Sequence, residues 1–134
     1  MEDDVMTNKS HPLVEKGDKI VVINILVPNI EKQHCLIKAK EIVAESAGSK
    51  SFMLNGNRFN QKDVGLPQPA IMHNSYRIAV PKGADVKSYI DIAKKMIKDA
   101  AKEVAEHAAE VVQKANGISE SIDTQPVDIV PAKV

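Results

Sequence analysis

The residues that decide the fold are IEKQHCLIKAKEIVAESA, positions 30–47, because two templates fit them and each leads to a different architecture. Read as a helix, Asn29 is the N-cap and Glu31 lies in the first turn. Cys35, Leu36, Ala39, Ile42, Val43 and Ala47 then share a face, and Gly48 terminates it. Ile37 and Ala44 are left off that face. Read as a strand, Cys35, Ile37 and Ala39 point to one side, and a switch of phase lets Ile42 and Ala44 continue the inward set. A β-bulge makes such a switch, bending a strand so that a small sheet can curl.

The flanking segments are less ambiguous. Gly17-Asp18 signals a turn, and Lys19 to Val27 is dense in β-branched residues that crowd a helix but suit a pleated strand. Beyond position 50, Phe52-Met53-Leu54 and Arg58-Phe59 flank Asn55-Gly56, a dipeptide that tolerates the positive φ angles of a tight hairpin. Gly65, Pro67 and Pro69 mark a connection over 61–69, and Tyr76 to Val80 reads as a further short strand. Asp85 then offers an N-cap for one long alanine-rich helix, Val86 to Ala115, closed by Asn116-Gly117. Residues 1–12 read as a flexible arm and 118–134 as a flexible tail, in which Pro126-Val-Asp-Ile-Val-Pro131 alternates as an edge-adding strand would.

The stretch Ile37-Lys38-Ala39-Lys40-Glu41-Ile42-Val43-Ala44, with Ser51 to Gly65 after it, resembles a pattern in small phage and mobile-element proteins with SH3-like barrels. There a bent strand leads into a hairpin closed by an Arg-Phe-x-x-x-Asp-x-Gly type segment, here around Arg58, Phe59, Asp63 and Gly65. The resemblance favours the strand reading of residues 33–45. It implies a small binding barrel from a phage or accessory gene, with no enzyme activity attached. The connection from Gln61 to Ser75 is longer than a compact barrel needs.

Composition narrows the function classes. A chain of 134 residues is of one-domain size, and with 3% aromatic residues and no Trp its core must come from Ile, Val, Leu, Met and Ala. Eighteen basic and eighteen acidic residues cancel, which removes the global attraction of a nucleic-acid coating protein. No run approaches the roughly 20 apolar residues of a membrane span; the longest, Ile20 to Pro28, is interrupted by Asn24. The single Cys35 and the acidic Met1 to Asp4 start lead to the expectation of a cytoplasmic protein.

Chemistry has no anchor in the pattern. Cys35 beside His34 lacks an oriented third group, and a lone Cys in an apolar stripe is ordinarily a small core residue. His11, His34, His73 and His107 show no ligand spacing, so no metal is expected, and the isolated glycines make no phosphate loop, so no cofactor is expected.

What remains is binding. Val86, Ile90, Ala93, Ile97, Ala100, Val104, His107 and Val111 recur at alternating four- and three-residue spacings, a seam that wants either a second subunit or the chain's own sheet. Residues 13–82 carry ten basic against six acidic side chains, with Lys38 and Lys40 on one strand face and Arg58 and Lys62 around the hairpin as candidate nucleic-acid contacts. The expectation is an α+β protein: a small sheet or SH3-like barrel over 13–82, then one long C-terminal helix over 84–116. Its expected function is that of a non-enzymatic homo-oligomeric interaction protein, a phage-type accessory factor binding a host macromolecule. The alternative is a small nucleic-acid-binding regulator.

Overall fold

In the computed structural model, residues 12–126, 129 and 131 are described. Residues 1–11 of the arm, and residues 127, 128 and 130 of the alternating segment, lie outside them. The strand reading of the deciding stretch holds. Six strands, β1 (Lys19–Leu26), β2 (Leu36–Ala47), β3 (Ser51–Leu54), β4 (Asn57–Asn60), β5 (Gln68–Pro69) and β6 (Ser75–Ala79), are followed by one helix, α1 (Val86–Ile122). They form a curled antiparallel half-barrel in the order β4-β3-β2-β1-β6-β5.

The central strand β1 is buried on both faces, which is why its sequence is almost continuously apolar. Its odd-numbered side chains Val21, Ile23 and Ile25 join Ile78, Val80 and Ala93 beneath α1. Its even-numbered Ile20 and Val22 turn into the curl, against Ala44, Phe52, Leu54 and Ala79. β2 pairs with β1 through Ile20↔Ile42 and Ile25↔Ile37, so Ile42 faces the inside of the curl and Ile37 the helix. The apparent change of phase near residue 40 therefore reflects partial burial of Ile37 on one face of the strand and of Ile42 on the other. The bulge itself lies further on, where the pairing steps from Ala44↔Leu54 to Ser46↔Met53 and leaves Glu45 as the extra residue. The Glu45 carboxylate anchors the next turn by accepting the Gly56 N–H at 2.9 Å.

That turn is the one the dipeptide demands: Asn55 has φ 51° and Gly56 φ 80°, linking β3 to β4. Phe52 and Phe59 stack across the hairpin with ring centroids 5.5 Å apart, so both rings belong to the core. Gln61 ties the entering chain to the hairpin. Its Oε1 accepts the Val14 N–H at 2.9 Å, while its Nε2 donates to the carbonyls of Val14 at 2.8 Å and Gly48 at 3.1 Å. Asp85 caps α1, its Oδ1 accepting the Lys87 N–H at 3.2 Å.

The helix differs from expectation at its far end. It runs through Asn116-Gly117 to Ile122, 37 residues and about 55 Å at 1.5 Å per residue. A glycine inside a helix costs only about 1 kcal/mol, and Ile118 and Ile122 continue the aliphatic stripe beyond it.

Candidate interaction surfaces

The first surface is the open end of the curl. At the Ile20 end the inner face is filled by the Phe52 cluster, but further along β1 the inward position is the polar Asn24. Strand register sets a row across the sheet, because Asn24 pairs with Lys38 on β2 and Arg77 on β6, and Arg77 pairs with Gln68 on β5. Lys40 follows on the same face, opposite Val22. Asn24, Lys38, Lys40 and Arg77, together with Asn55 and Asn57 from the hairpin, line a basin of about 280 Å³, floored by Val22, Leu54 and Phe59. No carboxylate lines it.

Arg77 is the centre of this end. Its guanidinium carbon lies 4.9 Å from the centroid of the Phe59 ring, a cation–π contact on a ring already stacked on Phe52. Its Nε is buried and has no hydrogen-bond partner. Two further depressions also reach Arg77. One, of about 380 Å³, is flanked by the exposed Leu36, Ile71 and Met72; the other, of about 180 Å³, includes Arg58 and the single carboxylate of Asp63.

Of the four expected cationic contacts, the structure thus brings Lys38 and Lys40 together in the basin. Arg58 alternates with the inward Phe59 on β4, which sends it to the other side of that strand, and Lys62 is exposed on the 3-10 turn Gln61–Asp63. Arg77 was missed by sequence reasoning, since its membership depends on register across two strand pairs. Asn24, breaking an otherwise apolar run, was the available signal.

The second surface is α1. Its first half is spent on the sheet: Val86, Tyr89, Ile90, Met96 and Ile97 pack around the fully buried Ala93. Val86, Ile90, Ala93 and Ile97 of the expected oligomer seam thus pack on the chain's own sheet, Ala93 fully and the others in part. Ala100 and Val104 are half-buried beside a cleft where the helix leaves the sheet. From residue 105 to its end every helical residue is exposed, including His107, Val111, Val112, Ile118 and Ile122.

Cys35 is exposed in the connection before β2 rather than in the core, and His34, His73 and His107 are exposed and separate. His11 lies outside the described residues. Among the described residues no group of three His, Cys, Asp or Glu side chains is placed to hold a metal ion, and no helix is long and apolar enough to cross a membrane. The fold and surfaces define an α+β protein with a half-barrel sheet and a projecting helix. Comparison with family models, curated proteins and solved structures gave no match.

Proposed function

We propose that the protein is a non-enzymatic interaction protein that works as a self-associating pair, with the half-barrel as its binding module and the outer half of α1 as the joint. The observation that carries this reading is the run of exposed helix beyond residue 104. A helical run that packs on nothing has only propensity and local pairs to hold it, and the glycine within it weakens it further. Val104, Ala108, Val111, Ala115, Ile118 and Ile122 recur at alternating spacings of four and three residues, with no charged side chain among them. Such a stripe is complementary to a second copy of itself about a two-fold axis. Alanine at positions 108 and 115 lets the two backbones come close there.

The stripe from Val104 to Ile122 is about 27 Å long by helix rise, and two such faces bury on the order of 1,000 Å², the lower bound for a specific interface. Association of modest strength follows. Pairing would leave the half-barrels outermost and open to a host macromolecule, the role of an accessory factor.

Light scattering across a dilution series tests this reading, with Val111→Asp as the variant. The wild-type chain should pass from monomer to dimer with concentration, and the variant should stay monomeric with its circular dichroism unchanged in the sheet region. A wild-type monomer at every concentration, or a variant that associates as tightly, overturns it.

A further inference from the structure

We infer that the basin at the open end of the half-barrel binds single-stranded nucleic acid, with Lys38, Lys40 and Arg77 as its phosphate contacts. The basin is formed within one chain, so this stands whether or not two chains associate.

Three features lead to this ligand. The first is uncompensated charge: Lys38, Lys40 and Arg77 share the lining with no carboxylate, and the ion pairs among the described residues, Lys82–Asp18 and Lys95–Asp99, involve none of them. Arg77 bears this most plainly, since its buried Nε has no partner although Asn24 and Gln68 pair with it across the sheet. A buried donor left unmatched is costly, and an anion entering the basin supplies an acceptor.

The second feature is spacing. Lys38 and Lys40 stand two residues apart on β2, about 7 Å along the strand, and Arg77 stands two strands away, about 10 Å across the sheet. Spaced in this way, the three cations can meet successive phosphates of an extended chain. The third is what lies between the cations. Asn24, Asn55 and Asn57 present carboxamides that both donate and accept, as base edges require, and the adjoining depression beside Leu36, Ile71 and Met72 offers apolar cover for a base. The Phe52 and Phe59 rings are already stacked on each other, and Arg77 lies over Phe59, so stacking on aromatic rings contributes little.

The test is fluorescence anisotropy of a labelled single-stranded oligothymidylate against the full chain, titrated at several salt concentrations. Three phosphate contacts predict a slope of log affinity on log salt near −2, an affinity loss of about 20-fold between 50 and 200 mM. Lys38→Gln with Lys40→Gln, both exposed and so neutral to folding, should reduce the slope to about −0.7. Replacing Lys94, Lys95 and Lys98 on α1 with Gln should leave binding unchanged. The inference is overturned by any of four results: no binding at 50 mM salt, undiminished binding by the Lys38/Lys40 variant, loss of binding in the helix variant, or equal competition by polyglutamate, which would mark an acidic peptide as the better occupant.

Discussion

Ile90→Ala and Ile118→Ala make the same chemical change in the same helix, once where α1 lies on the sheet and once where it stands clear of it. Ile90 packs against the Ile23, Ile78 and Ala93 cluster, whereas Ile118 is 68% exposed. Removing a fully buried Ile side chain to Ala costs about 2–5 kcal/mol, so the partly buried Ile90 should cost about 2 kcal/mol. The accompanying gain in helix propensity returns a few tenths of a kcal/mol at both sites. At Ile118 nothing else changes within the monomer, and the net effect should fall within about 0.5 kcal/mol. With a urea dependence of about 1–3 kcal/mol per molar, Ile90→Ala should lower the unfolding midpoint by about 1 M. In dilute protein Ile118→Ala should leave it in place. At high protein concentration pairing stabilises the folded chain by mass action, and a symmetric pair contains each substitution twice. There Ile118→Ala should lower the midpoint as well. Equal shifts in dilute protein would refute the division of α1 into a packed and a free half, and an Ile118→Ala effect independent of concentration would refute the pairing.

Two further perturbations probe the half-barrel. Lys82 Nζ lies 2.8 Å from Asp18 Oδ2, and this hydrogen bond, with the Glu15 N–H behind it, holds the Asp18 carboxyl below its ordinary 3.8. Stability from the charged carboxylate is then present above that ordinary value and lost as pH falls through the lower folded one. Asp18→Asn should therefore lower the melting temperature at neutral pH, and the gap should close below pH 3.8; a gap constant with pH would refute the assignment. Gly65 has φ +87°, and a Cβ there would sit 3.3 Å from Pro81 Cγ and 3.6 Å from the Tyr89 ring. Gly65→Ala should cost about 2 kcal/mol in a denaturant titration, from left-handed backbone strain and displacement of a buried proline ring, and an unchanged midpoint would show that the loop relaxes freely.

Local chemistry made part of this fold legible. Asn55-Gly56 carries its turn in two residues, Asp85 its cap in one, and β1 its strand in β-branched density. Positions 30–47 resisted because Ile37 and Ile42 are both apolar for different reasons, one facing α1 and one facing the curl. A strand that packs one face at one end and the other face further along loses the alternation that identifies it, and its pattern overlaps that of a helix. The end of α1 was misplaced because Asn116-Gly117 stops a helix only where nothing beyond it favours continuation. The basin was half legible: Lys38 and Lys40 share a face by strand parity alone. Arg77 joins them only through pairing across β1, information that no single segment holds.

The extra residue in β2 separates shape from charge. Glu45 supplies no lining to the basin, yet its insertion lets Ala44 and Ala47 both contact the inner cluster despite their odd spacing, and so turns the β3–β4 hairpin over the open end. The aperture of the basin is thus encoded at one position and its ligand chemistry at others. Deletion of Glu45 would flatten the cradle with every cation retained, whereas exchange of Lys38 or Lys40 would discharge it with the curvature intact. Selection can tune the two independently, adjusting what fits without altering what attracts.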